Sequence, residues 1–186
     1  QVGSFDDLVS AINSANTIDG DDTISFSNSF AVTGALPAIA SNITIEGNNR
    51  TLDGNSIRNL LTINSGTVKL ANLTLQNGVA QGITGVSGNG TAGQGGALLI
   101  QNGNVTLVKV GFIGNQAIGG DGLDKPGAIG GNGGNGQGGA VYIQSGTLRL
   151  AGTTFSGNST TGGIGGIGAT NGQSGQGTGG ALYVNA

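Results

Sequence analysis

The chain has 186 residues, of which 41 are Gly, 35 % are hydrophobic and only 8 % are charged, a composition that fits one domain of unusual class. The absence of Cys, Met, Trp and His excludes thiol nucleophiles, disulfides, imidazole bases and Cys/His zinc sites together. A net charge of −3 without a basic patch points away from nucleic acid, and no apolar run of about 18 residues is available to span a membrane.

Gly-rich chains stay disordered when they are also highly charged and poor in β-branched residues, whereas here Val, Ile, Leu and Thr recur throughout and predict burial. The start at Gln1 predicts a removed leader or an excised segment. Over residues 1–18, Ser4 is placed as an N-cap with Asp7 three residues on, and Phe5, Leu8, Val9 and Ile12 share one helical face, so a short helix is expected to cover the first rung. Asp19-Gly20-Asp21-Asp22 then gathers carboxylates in a turn. Asp19, Asp21 and Asp22 are candidate calcium ligands, with Asp121 and Asp124 a weaker pair; the competing reading is a plain lead into the first strand.

From 19 to 77 the chain reads as plain rungs, with Ile24-Ser25-Phe26, Ile43-Thr44-Ile45 and Leu61-Thr62-Ile63 expected to open successive rungs. A fuller repeat comes next as Ile63-Asn64-Ser65-Gly66-Thr67-Val68-Lys69-Leu70, Ile100-Gln101-Asn102-Gly103-Asn104-Val105-Thr106-Leu107 and Ile143-Gln144-Ser145-Gly146-Thr147-Leu148-Arg149-Leu150. In each copy a large apolar residue falls twelve positions after the first Ile, namely Leu75, Phe112 and Phe155. Short alternating strands at a fixed register predict stacked rungs about 4.8 Å apart, each burying its apolar face on the next. Between 78 and 186 the rungs carry Gly-rich insertions, at 78–95, 116–137 and 159–178, which leave at the same point of the repeat and are expected to lie over one another as a second layer on one side; their composition fits either floppy linkers or extended polyglycine-like strands packed side by side. The predicted fold is therefore all-β: a right-handed parallel β-helix with a short N-terminal capping helix, stacked Gly-rich excursions, and an open C-terminal edge that invites pairing.

Alternation places Ser25, Thr44, Thr62, Leu99, Tyr142 and Tyr183 on one outward ladder, where Tyr142 and Tyr183 are candidates for stacking a sugar face; the competing reading is that the ladder packs under a covering loop or a neighbour, for which the Gly-rich layer is available. The next outward ladder is Lys69, Thr106 and Arg149, too sparse for an anionic ligand. Asn115 and Asn158 recur at equivalent turns, where an amide is expected to bond to the next rung's backbone or to allow a left-handed turn.

Gly95-Gly96-Ala97-Leu98, Gly138-Gly139-Ala140-Val141 and Gly179-Gly180-Ala181-Leu182, with Phe112-Ile113-Gly114-Asn115 and Phe155-Ser156-Gly157-Asn158, resemble the GGA-aliphatic and FxxN repeats of chlamydial polymorphic outer-membrane proteins. The stretch from Phe5-Asp6-Asp7-Leu8 through Asp22-Thr23-Ile24 to Asn42-Ile43-Thr44-Ile45-Glu46-Gly47 looks like the start of large bacterial secreted proteins of the pectin-lyase-like β-helix class. The resemblance implies a secreted or outer-membrane-associated bacterial β-helix, commonly part of a longer adhesin or autotransporter passenger.

Glycoside hydrolysis needs two facing carboxylates about 5–10 Å apart. Between Gly54 and Gly120, and again after Asp124, the chain has no carboxylate at all, while Glu46 and Asp53 read as turn and edge residues. The expected function is a non-enzymatic extracellular structural or adhesive module without a cofactor, partnered by itself, by the rest of a longer surface protein, or by a host-surface or matrix glycan. The alternatives are a polysaccharide-binding or polysaccharide-degrading β-helix and, below it, an ice-binding surface.

Overall fold

A computed structural model describes residues 1–18, 20–85 and 88–185. The N-terminal helix forms as α1, Phe5–Thr17. Ser4 is extended and its Oγ accepts from Asp7 N at 3.3 Å, meeting one of the first turn's free donors, while Asp7 Oδ2 accepts from Gly3 N at 3.1 Å just ahead of the helix. Leu8, Ile12 and Ala15 are buried and close one end of the core.

The strands of the first part are β1 (Asp21–Ser25), β2 (Phe30–Ala31), β3 (Asn42–Asp53), β4 (Leu61–Ile63) and β5 (Thr67–Gln76). The next repeat supplies β6 (Val79–Gln81), β7 (Gly93–Gln94), β8 (Leu98–Ile100) and β9 (Asn104–Ile113). After it come β10 (Gln116–Ile118), β11 (Lys125–Ile129), β12 (Gly136–Gln137), β13 (Val141–Ile143), β14 (Thr147–Ala151) and β15 (Thr154–Ser156). The last are β16 (Ser159–Thr161), β17 (Gly168–Thr170), β18 (Gly177–Thr178) and β19 (Leu182–Val184). Apart from α1 the described chain is β, and each strand pairs in parallel with its counterpart one repeat away. The main sheet runs β1-β3-β5-β9-β14, with β2 on β3 and β15 on β9; a second runs β4-β8-β13-β19. Three narrower sheets, β6-β10-β16, β7-β12-β18 and β11-β17, lie in or beside the Gly-rich segments.

Alternation along each strand sets the core. Ile45, Leu70 and Leu107 form one buried ladder, Leu52, Leu75 and Phe112 a second, and Leu61, Leu98 and Val141 a third. Phe112 stacks on Phe155 of the next repeat, ring centroids 5.0 Å apart and 8° from parallel. The chain turns between flat faces at left-handed residues that also stack. Asn72 and Lys109 have φ of 49° and 52° at equivalent positions, and Gly152 comes next at 63°. In the Gly-Gly-Ala motif the two glycines do different work. Gly138 has φ of 62°, while a Cβ on Gly139 would overlap the Gly180 carbonyl oxygen of the next repeat.

The structure corrects the early part of the repeat. Ile24-Ser25-Phe26 and Ile43-Thr44-Ile45 do not stack under Leu61-Thr62-Ile63. They belong to the main sheet, where Ile24 pairs with Ile45 and Ile45 with Leu70, while the predecessor of Ile63 is Ile39. Three-residue alternations look alike on every face of such a stack, so period alone does not say which face a strand occupies. The outward ladder accordingly holds Thr62, Leu99, Tyr142 and Tyr183, without Ser25 or Thr44. Thr44 instead lies in the ladder of Lys69, Thr106 and Arg149, preceded there by Thr23.

Asn115 is buried, and the backbone partners of its side chain lie in the preceding repeat and not the next, while it reaches the following repeat through a side chain. Its Oδ1 accepts from Gly78 N at 2.8 Å and its Nδ2 donates to Leu75 O at 3.0 Å and to Asn158 Oδ1 at 2.9 Å. Asn158 repeats the device one layer on, donating to Phe112 O at 3.0 Å and accepting from Asn115 N at 3.0 Å. Replacing Asn115 by Leu leaves a buried N–H and a buried C=O without partners, at about 1–3 kcal/mol each. The Asn115→Leu protein is expected to lose about 3 kcal/mol in urea unfolding, with a smaller loss for Asn158→Leu, whose side chain is only partly buried.

Candidate functional site

The Gly-rich segments form an ordered layer. Outbound, Gly82 N donates to Ile118 O at 2.7 Å, Gly119 N to Thr161 O at 2.8 Å and Gly122 N to Ile164 O at 2.8 Å. On the return, Gly90 N donates to Asn132 O, Gly133 N to Gln173 O and Gly136 N to Gln176 O, all at 2.8–2.9 Å. Outbound and return segments are themselves joined, Gly120 N to Thr91 O, Gly134 N to Gly120 O, Gly163 N to Gly134 O and Gly175 N to Gly163 O. Donors thus recur every third residue, the periodicity of a polyproline-II chain, which leaves its backbone free to bond to neighbours on several sides. Glycine is required where strand faces strand: a Cβ on Gly134 would overlap the Thr91 carbonyl oxygen, and one on Gly163 that of Gly120.

Every third residue faces solvent. Outbound these are Thr84, Asp121, Asp124, Ile164 and Ile167; on the return they are Asn89, Asn132, Asn135, Gln173 and Gln176, all exposed. The side-chain carbonyl oxygens of the three Asn are already engaged. Asn89 Oδ1 accepts from Asn132 N at 2.8 Å, Asn132 Oδ1 from Gln173 N at 2.9 Å and Asn135 Oδ1 from Gln176 N at 2.9 Å. The NH2 groups of these Asn are left turned to solvent as a fixed array, with spacings of about 9 Å along a strand and about 4.8 Å between strands. Sequence reasoning missed this face. Its signal was the three-residue spacing of Asn132 with Asn135 and of Gln173 with Gln176. On the outbound side Asp121 and Asp124, read from sequence as a weak cation pair, do the same work, accepting from Ile164 N at 2.7 Å and Ile167 N at 2.6 Å.

The predicted site residues lie elsewhere. Asp21 and Asp22 are adjacent on β1 and face opposite sides of the sheet. Asp21 accepts from Asn42 Nδ2 at 3.1 Å; Asp22, beside inward Ile43, has its Oδ2 buried without a hydrogen-bond partner. Asp19 lies outside the described residues, and among those described no three His, Cys, Asp or Glu side chains converge as metal ligands. The Tyr142 and Tyr183 rings stack at 5.5 Å and 3°. Tyr142 is only 4 % exposed, so its ring offers no open face to a sugar, and Tyr183 is partly buried. Burial, with the Tyr183 phenol beside it, pushes the Tyr142 hydroxyl above its ordinary pKa against an opposing hydrogen bond with Gln94.

Glu46 and Asp53, the carboxylates weighed for acid–base work, are held in hydrogen bonds. Glu46 Oε1 accepts from Asn48 N at 3.1 Å and Asn72 Nδ2 at 2.9 Å. Asp53 accepts from Gln76 Nε2 at 2.6 Å, Asn55 N at 2.8 Å and Asn77 Nδ2 at 3.1 Å. Partial burial pushes the Asp53 carboxyl up, but the bonds from Gln76, Asn55 and Asn77 outweigh it and hold the group below its ordinary pKa. A glycosidase acid requires the opposite shift.

These features define an all-β protein of stacked parallel strands with a Gly-rich side layer and no assembled pair of free carboxylates among the described residues. The family model described as "Putative pectate lyase-like adhesive domain" matches residues 1–118, and the chain belongs to that family. The matched region takes in α1, the plain repeats and the first Gly-rich excursion, and ends at β10, where the second excursion leaves the stack. No curated protein and no solved structure matches the chain.

A methyl group on Gly134 must displace the Thr91 carbonyl, so Gly134→Ala is expected to cost about 1–3 kcal/mol, read by urea unfolding, with faster hydrogen exchange at Gly120 and Gly163. Because Asp53 titrates below its unfolded value, its stabilisation is present above the ordinary carboxylate range and is lost as pH falls through the lower folded value. Wild type is therefore expected to lose more stability than Asp53→Asn when urea midpoints are followed from neutral pH to about pH 3.

Proposed function

We propose that this chain is a non-enzymatic extracellular adhesive module of a bacterial surface protein or fibre, built as a right-handed parallel β-helix with α1 as its cap. The observation that carries the proposal is the solvent-facing array of Asn and Gln amides on the return side of the Gly-rich layer, each Asn fixed through its carbonyl to the next repeat's backbone. Donors held rigid before contact lose little freedom on binding, and a regular row of weak contacts suits an extended polymer with repeating hydroxyl or carboxylate acceptors. A cell-surface or matrix polysaccharide has that chemistry. Membership of a family named for adhesion supports the same reading, as does the engagement of Glu46 and Asp53 in hydrogen bonds. The exposed edges of the last repeat suit pairing with the rest of a longer chain or with a second copy, which sedimentation at increasing concentration distinguishes.

The test exploits a substitution that keeps the internal bond and removes only the outward donor. In Asn132→Asp/Asn135→Asp a carboxylate oxygen still accepts from Gln173 N and Gln176 N, as Asp121 and Asp124 do on the outbound side. On a polysaccharide array the wild-type chain is expected to retain at least one extended glycan without releasing reducing ends or unsaturated products. The folded double variant is expected to bind it at least about tenfold more weakly. Equal binding by the variant would remove the amide face from the proposal, and turnover abolished by Asp53→Ala would overturn the non-enzymatic reading.

A further inference from the structure

Six Asn-Gly pairs occur in the chain: Asn77-Gly78, Asn89-Gly90, Asn102-Gly103, Asn132-Gly133, Asn135-Gly136 and Asn171-Gly172. Such pairs share one spontaneous reaction. The glycine's backbone nitrogen attacks Cγ of the asparagine side chain, a C–N bond forms, ammonia leaves, and a five-membered succinimide results. Water then opens either ring carbonyl to give an aspartyl or isoaspartyl residue. No catalyst or redox partner is needed, so the rate is set by whether that nitrogen is free to approach its own neighbour's side chain.

In five of the six pairs it is tied to another part of the chain. Gly78 N donates to buried Asn115 Oδ1 at 2.8 Å. Gly90 N, Gly133 N and Gly136 N donate to the Asn132, Gln173 and Gln176 carbonyls of the next repeat, and Gly172 N to Gly166 O, at 2.8–2.9 Å. Attack requires each of these bonds to open first. The remaining pair differs: Gly103 N points at Asn102 Oδ1 itself, 2.9 Å away, in the exposed turn between β8 and β9. Gly103 has φ of 124° and carries no Cβ to hinder the approach. The equivalent turns of the neighbouring repeats are Ser65-Gly66 and Ser145-Gly146, which have no amide to lose.

We infer that Asn102 is a site of spontaneous deamidation, selective over the five other Asn-Gly pairs, with water as the only co-reactant. The product places a negative charge, and in the isoaspartyl form an extra main-chain methylene, at a turn that stacks on both sides. Asn104 N donates to Gly66 O and Thr147 N to Gly103 O, both at 2.9 Å, and these bonds flank the altered link. The outward amides of Asn89, Asn132 and Asn135 are protected by the bonds that build the layer, so the adhesive face proposed above keeps its donors while the turn ages. Deamidation at Asn102 does not depend on that function.

The full chain is incubated in ¹⁸O-labelled water at mildly alkaline pH, folded and in urea, and peptides are analysed by mass spectrometry with fragmentation to place the label. In the folded protein Asn102 is expected to convert at least about tenfold faster than any of the other five, and in urea all six at comparable rates. Asn102→Ser, the residue of the neighbouring repeats, is expected to remove the fast label and leave the remaining pattern unchanged. Conversion of Asn132, Asn135 or Asn171 as fast as Asn102 in the folded chain would overturn the inference. So would a slower reaction of Asn102 in the folded chain than in urea.

Discussion

Everything in this molecule depends on one constraint: each strand takes its main-chain hydrogen bonds from the equivalent strand one repeat away, in parallel and in fixed register. A parallel ladder spaces its bonds evenly and places each residue beside its own counterpart. Side chains therefore stack on their like. Leu70 on Leu107, Phe112 on Phe155 and Asn115 on Asn158 are the same event on different faces. The arrangement rewards apolar and amide residues and penalises like charges, which would sit about 4.8 Å apart. The low charge of the chain is a consequence, as is the interruption of the Lys69 and Arg149 ladder by Thr106.

The Gly-rich layer obeys the same rule with a different period. Strands that must bond to neighbours on several sides cannot carry side chains toward them, so two residues of every three are glycine over much of the layer and the third turns outward. Where the outward residue is Asn or Asp it has a structural duty, since its side-chain oxygen accepts from a backbone N–H of the next repeat. Asn and Asp meet that need equally. What differs is the group left facing solvent: NH2 donors on the return side, and carboxylate oxygens from Asp121 and Asp124 on the outbound side. The layer thus has two chemically distinct faces, and the donor face is the one suited to an oxygen-rich polymer.

Much of this architecture is legible in the residues alone. The repeat from Leu61 onward, the segments that leave it, the capping helix with Ser4 at its start, and the Leu75, Phe112 and Phe155 ladder are all where the alternation of apolar residues places them. The plain early repeats were misplaced because Ile24 and Ile43 sit in three-residue alternations that fit any face. The Tyr142 and Tyr183 ladder is legible, with the Gly-rich layer as an available cover; how completely Tyr142 is buried is not, since a partner such as Gln94 lies far from it in the chain. The amide face was passed over for a related reason. Asn and Gln among glycines look like ordinary loop composition until each carbonyl is seen to have a partner.

The sequence by itself determined that like residues would stack, where the Gly-rich segments leave the stack, and that His, Cys and Met chemistry is absent, because these depend on residue type and spacing alone. Three matters were left to the folded arrangement: which face each short strand occupies, that the glycines pack as an ordered layer, and whether the nitrogen after each Asn bonds to a distant part of the chain or to that Asn itself. Those outcomes are set by hydrogen bonds between residues 37 to 43 positions apart, as at Gly78 with Asn115 and Asn132 with Asn89, and such partners are chosen by the stack and not by their sequence neighbours.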